Sequence, residues 1–215
     1  TGYTFLGWST SSSATIATYS AGGSYTTNAS VTLYAVWKPN TYTVTYNANG
    51  GSGAPSSQTK TYGVTLTLSS TKPTRTGYTF LGWSTSSTAT SATFTAGSSY
   101  TSNSSVTLYA VWKVNTYTVS DNANGGSGAP SVQTKTYGGT LTLSSTKPTR
   151  TGYTFLGWST SSTATSATYS AGGSYTSNSS ATLYAVWSVN TYTVSYNANG
   201  GSGAPSGQTK TYGTT

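Results

Sequence analysis

Residues 41–55 read Thr-Tyr-Thr-Val-Thr-Tyr-Asn-Ala-Asn-Gly-Gly-Ser-Gly-Ala-Pro. Tyr42, Val44 and Tyr46 alternate with Thr41, Thr43 and Thr45. That period of two puts one face of a strand on a core and leaves the other in water. Aromatic and β-branched side chains suit such a pleated, half-buried surface. The run closes on Asn49-Gly50-Gly51, residues that accept positive φ and favour a tight turn. A glycine-rich run can also cradle phosphate, but that needs a Gly-Lys-Ser/Thr ending and a helix behind it. Here the chain continues Ser-Gly-Ala-Pro, so the stretch specifies a strand and a turn.

Moving outward, Gln58–Tyr62 is stopped by Gly63, and Thr65-Leu66-Thr67-Leu68 alternates again before Lys72-Pro73 breaks it. Tyr78–Trp83 and Val106–Trp112 carry apolar residues on both faces, as a central strand does. Residues 84–105 are rich in Ser, Thr, Ala, Gly and Asn. Ser and Thr compete with helical backbone bonding, so a loop with a short turn or strand is expected there, and little helix anywhere. The class is mainly β.

The same pattern returns every 75 residues: TGYTFLGWST begins at Thr1, Thr76 and Thr151, and NANGGSGAP at Asn47, Asn122 and Asn197. Aligning 41–115 with 116–190 leaves nine mismatches in 75 positions, among them Tyr46 against Asp121. A unit of this length is a small domain, too long for one solenoid turn. The expected organisation is a C-terminal part-module (1–40), full modules 41–115 and 116–190, and an N-terminal part-module (191–215). Residue 1 falls in mid-pattern, which reads as a fragment or a processed chain. One arrangement this suggests is completion of a module by 191–215 of one chain and 1–40 of the next, a form of strand addition.

Leu, Ile, Val and Phe number 27 of 215, so each module must build its core from aromatic rings. The expected core residues are Tyr78, Phe80, Trp83, Leu108 and Trp112, with Tyr153, Phe155, Trp158, Leu183 and Trp187 in the next module. Tyr25, Tyr100 and Tyr175 sit in the Ser/Thr-rich segments and are candidates for an intermodule or adhesive surface.

The chain has no His, Cys, Met or Glu and a single acid, Asp121. Without an acid–base pair no catalytic residue is expected and the protein reads as a non-enzyme. No cofactor is expected, and no metal, since hard cations need several carboxylates. A stiffening Lys–Asn cross-link needs a buried acid to catalyse it, and since Asp121 is the only acid and its equivalents are Tyr46 and Tyr196, the expectation is that no such link closes every module. Nine spaced Lys and Arg give a net charge of +8, but they do not cluster as a nucleic-acid footprint does. No run is long and apolar enough for a membrane helix in this segment. Asn28, Asn103 and Asn178 fit the glycosylation acceptor pattern, a match expected by chance in so Ser-rich a chain.

TYTVTYNANGGSGAP, QTKTYG, KPTRTGYTFLGWST and VTLYAVW, in that order and spacing, resemble the Listeria–Bacteroides repeat family, which includes the internalin B-repeat. The resemblance implies β-grasp-like modules with mixed sheets, strung in tandem in secreted or surface-anchored bacterial proteins. It thus implies an extracellular, cell-surface location. Two roles compete. The first is a structural repeat protein forming a stalk, fibre or filament, with neighbouring modules or copies of the same protein as partners. The second is a multivalent adhesin whose repeated aromatic patches bind surface glycans or host cells.

Overall fold

The computed structural model describes residues 1–215 and contains no helix. The chain divides into two compact units, Thr1–Lys113 and Val114–Thr215. In the first, β1 (Tyr3–Ser9) and β2 (Tyr34–Pro39) pair antiparallel. There follow β3 (Thr41–Asn47), β4 (Gln58–Thr61), β5 (Leu66–Thr67), β6 (Tyr78–Ser84), β7 (Ser99–Tyr100) and β8 (Val106–Val114). Four of these make one mixed sheet in the order β4-β3-β8-β6, and β5 pairs with β7 in a second, two-stranded sheet.

The second unit repeats the design with β9 (Thr116–Asn122), β10 (Gln133–Thr136), β11 (Leu141–Thr142), β12 (Tyr153–Ser159), β13 (Ser174–Tyr175) and β14 (Ala181–Val189). Its sheet order is β10-β9-β14-β12. It ends in an antiparallel pair, β15 (Thr191–Val194) and β16 (Gln208–Thr211). The fold is mainly β with mixed sheets. A β-grasp fold lays a helix across its sheet, and no helix does so here.

The alternation in 41–46 decides how β3 sits. Val44 and Tyr46 are buried, and Thr41 and Thr43 are exposed. β3 lies parallel to β8, with Val44 opposite Val106 and Tyr46 opposite Leu108. Parallel neighbours need a long connection, and the 58 residues between Asn47 and Val106 supply it by carrying the rest of the module.

A strict alternation would put Phe155 and Trp158 on opposite faces. The β12–β14 register slips between Phe155 and Gly157, and this bulge turns both rings to one side, 5.0 Å apart. Gly157 has φ of 140°, and a Cβ there would lie 2.5 Å from the Tyr169 carbonyl oxygen, so only glycine fits. Gly82 holds the equivalent place against Phe94. The close approach lets Trp83 N–H donate to the Phe94 carbonyl at 2.7 Å, stitching the Ser/Thr-rich segment to the sheet.

The core of the first full module gathers Val44, Tyr46, Leu68, Trp83, Tyr100, Leu108 and Ala110. Tyr46 and Phe80 meet Trp83 edge-on at 4.9 and 5.1 Å, and Phe80 meets Trp112 at 5.6 Å. Such pairs contribute about 0.5–1.5 kcal/mol each beyond their buried area. Rings thus replace the missing aliphatic residues.

Candidate functional site

Of the residues read as core, Trp83, Trp158, Leu108 and Leu183 are fully buried. Phe80 and Trp112 are partly buried and pack against the first cluster, Phe155 and Trp187 against the second. Tyr78 and Tyr153 are half-buried, each under an arginine.

The three tyrosines read as surface candidates part company. Tyr100 and Tyr175 are buried, so they are core residues and not an adhesive face. The reason is local: Ser-Tyr forms β7 or β13 against Leu-Thr of β5 or β11, and that pairing brings the ring to the core. Their hydroxyls are satisfied by the Ser104 and Ser179 carbonyls at 3.3 and 3.1 Å. Tyr25 remains exposed, its ring edge-on to Tyr19.

The turn after β3 is a strut as well as a turn. Asn49 has φ of 48°, and its backbone N–H is bonded to Asn47 Oδ1 at 2.8 Å. Its side-chain amide donates to the carbonyls of Ser87 and Ala110, at 2.8 and 3.0 Å. Asn124 repeats this on Ser162 and Ala185. Trp112 Nε1 donates to the Ala48 carbonyl at 3.0 Å, and Trp187 to Ala123 likewise.

Beside each strut opens a groove of about 720 Å³, lined by Gly50, Gly51, Thr74, Arg75, Tyr78 and Trp112. Its twin of about 710 Å³ has Gly125, Gly126, Thr149, Arg150, Tyr153 and Trp187. The guanidinium of Arg75 lies 3.9 Å from the centre of the Tyr78 ring, and that of Arg150 3.9 Å from Tyr153. The Lys-Pro-Thr-Arg runs therefore do more than keep the surface charged: each holds one cation on a ring face.

Two lysines depart from the pattern of solvated charges. Lys60 and Lys135 are 1% exposed, among the most buried side chains of the protein. Each Nζ donates to two oxygens: Thr61 O at 2.8 Å and Asn103 Oδ1 at 2.7 Å, or Thr136 O at 2.8 Å and Asn178 Oδ1 at 3.1 Å. The signal was present in the alternation, since Lys60 stands opposite Tyr42 on β3 and shares the inward register of Gln58. Two of the three acceptor-pattern asparagines, Asn103 and Asn178, thereby accept a hydrogen bond from a buried lysine.

Finally, each unit contains a joint. Asn40 follows β2 and precedes β3; its N–H donates to Gly2 O at 2.9 Å and its carbonyl accepts Tyr62 N–H at 2.8 Å. Its Oδ1 accepts from the Thr4 hydroxyl at 2.7 Å. Asn190 makes the same three bonds with Gly152, Tyr212 and Thr154, at 2.9, 2.9 and 2.7 Å. The Tyr62 ring covers Gly2 so closely that a Cβ would lie 2.2 Å from it, and Tyr212 covers Gly152 at 2.1 Å.

A mixed-sheet module repeated every 75 residues, with an aromatic core and the same joint within each unit, defines a tandem β-repeat protein. The profile of the Listeria–Bacteroides repeat domain matches residues 1–36, 42–111 and 117–186, and the chain belongs to that family. Two proteins of Evansella cellulosilytica are similar to it. One, named "Putative membrane protein", is 37% identical over 80% of this chain and 25% of its own length. The other, named "Putative Gly-rich membrane protein", is 35% identical over 79% of this chain and 19% of its own. The chain thus spans about a quarter or less of these relatives. No solved structure matches it.

Proposed function

We propose that these modules form a non-enzymatic spacer at the bacterial cell surface, a tandem array that carries other parts of a longer protein away from the envelope. The observation that bears the most weight is the joint. Asn40 and Asn190 each sit between two strands and make three hydrogen bonds to the strands paired with them, at the start of β1 or β12 and just past the end of β4 or β16, under a tyrosine seated on glycine. Hydrogen bonds on both sides of a one-residue connection leave it few alternative conformations, which is what a spacer requires and an adhesive surface does not. Family membership and the membrane-protein names of the two relatives support the surface location.

The test is replacement. In the full-length native protein, the array is exchanged for unrelated tandem β modules of equal contour. A spacer keeps its function after the exchange and loses it when the array is merely shortened. Loss of function after an equal-length exchange overturns the reading.

A second reading, a multivalent adhesin, is favoured by the paired grooves with their ring-mounted arginines. It predicts that the isolated 215-residue chain binds a glycan array, and that R75Q with R150Q removes the binding.

A further inference from the structure

The buried lysines remain without a role in either reading. An isolated buried ammonium is costly, and a protein normally offsets it with an anion. Here the only acid is Asp121, and the partners of Lys60 and Lys135 are neutral carbonyl oxygens.

The partner asparagine is held in a specific way. Asn103 Oδ1 accepts Lys60 Nζ and also the backbone N–H of Gly63 at 3.1 Å, and Asn178 Oδ1 accepts Lys135 Nζ and the N–H of Gly138 at 2.9 Å. A backbone N–H on the oxygen of a carboxamide is the arrangement that stabilises charge on that oxygen during acyl transfer. The nucleophile is already in hydrogen-bond contact with the group it would attack, and proximity of that kind can replace a very high effective concentration. Asn103 and Asn178 are exposed residues, which gives a leaving nitrogen a way to solvent.

We propose that each full module is closed by an intramolecular amide bond, Lys60 to Asn103 and Lys135 to Asn178. Nζ attacks Cγ as the free amine, the Nζ–Cγ bond forms and the Cγ–Nδ2 bond breaks. Nζ sheds two protons in all, one on becoming the free amine and one on forming the amide, and both leave with Nδ2, so lysine ammonium and carboxamide become a secondary amide and one ammonium ion. Neither oxidant nor reductant is needed. The reaction exports a buried positive charge to water, which supplies a driving force absent from the same reaction between exposed groups. Neither pair has a carboxyl group among its hydrogen-bond partners, so the backbone N–H stands where an assisting acid is otherwise required, and the bond forms slowly after folding. The link spans 43 residues, from β4 to the loop before β8, and ties the edge strand to the central one.

The chain holds its own control. Lys210 on β16 is exposed and donates to Thr214 O, and Asn28 is not among the partners of any lysine. Neither should react.

The test is mass spectrometry of the full chain in denaturant, after storage in the folded state until the mass is constant. The expected mass falls short of the sequence mass by two molecules of ammonia. Proteolysis should give two branched peptides, one joining Lys60 to Asn103 and one joining Lys135 to Asn178, with Lys210 free. K60M with K135M, checked for fold by circular dichroism, should restore the full mass. Recovery of Lys60 and Lys135 as unmodified residues overturns the proposal, as does a mass deficit that maps to other asparagines. Neither result bears on the spacer reading, which the module exchange tests separately.

Discussion

The hairpin at 1–40 and the module at 41–113 carry the same TGYTFLGWST and LYAVW strings, yet the two regions bury them differently. Trp83 is fully enclosed, whereas its equivalent Trp8 is 38% exposed, and Trp37 is exposed where Trp112 is half-buried. At the other end Val44 and Tyr46 are 0% and 6% exposed, against 41% and 44% for Val194 and Tyr196. Strand pairing itself is unchanged: β1 meets β2 with the same slip of register that β12 makes with β14. Local sequence therefore writes strand, bulge and facing direction, and burial arrives only when β3, β4 and the β5–β7 pair close over the rings.

The sharpest way to break that comparison is to truncate the same tryptophan in both settings. W83A should destabilise the first full module by about 3–5 kcal/mol, the range for large aromatic truncations in a core. W8A should cost less than W83A, because the Trp8 ring, although it packs on Phe5, is already 38% exposed. Denaturant unfolding measures the total, and hydrogen exchange assigns the loss to one module. Equal losses would mean that the hairpin is as well packed as the module.

The strut gives a smaller contrast. N49A strands the Ser87 and Ala110 carbonyls and should cost roughly 1–3 kcal/mol. N199A gives up no such acceptors and should cost less than N49A, leaving mainly the strain of alanine at a φ of 46°.

Asp121 sharpens the comparison between the two full modules. It replaces the core ring of Tyr46, and burial raises its carboxyl above the usual aspartate range. The folded form then holds its proton where the unfolded form has lost it. Stability of the second module is therefore greatest below the ordinary aspartate pKa and falls as pH rises through the raised value. D121Y should remove that slope and add about 1 kcal/mol at neutral pH by restoring the edge-on ring pair with Trp158. Thermal unfolding of both forms at acid and neutral pH measures this. R75Q should cost about 0.5–1 kcal/mol for the lost stacking on Tyr78.

Much of this was legible in the sequence. The alternation of Tyr42, Val44 and Tyr46 fixed one strand and its inward face, and the Asn-Gly-Gly ending placed its turn. The scarcity of aliphatics pointed to Trp83 and Trp158 as core. What escaped depends on residues distant in the chain. Tyr100 looks like a surface residue among serines, and its burial follows from pairing with Leu66, 34 positions away. Lys60 looks like a solvated charge, and its burial follows from an asparagine 43 residues on. The groove needs three segments, around Gly50, Arg75 and Trp112, none of which shows concavity alone.

The paired hydrogen bonds of Asn49 also bear on chemical ageing. An Asn-Gly step is the sequence most prone to deamidation, because the following backbone nitrogen can attack the side-chain carboxamide unhindered. In Asn49 and Asn124 the nitrogen that would have to depart is held by two carbonyls, and the carboxamide cannot turn toward Gly50 or Gly125 without surrendering both bonds. Asn199 sits before Gly200 in the same words with no such restraint. Over long storage, peptide mapping should find it converted first and its two counterparts much later, so each module also protects the turn that would age soonest if it were left open.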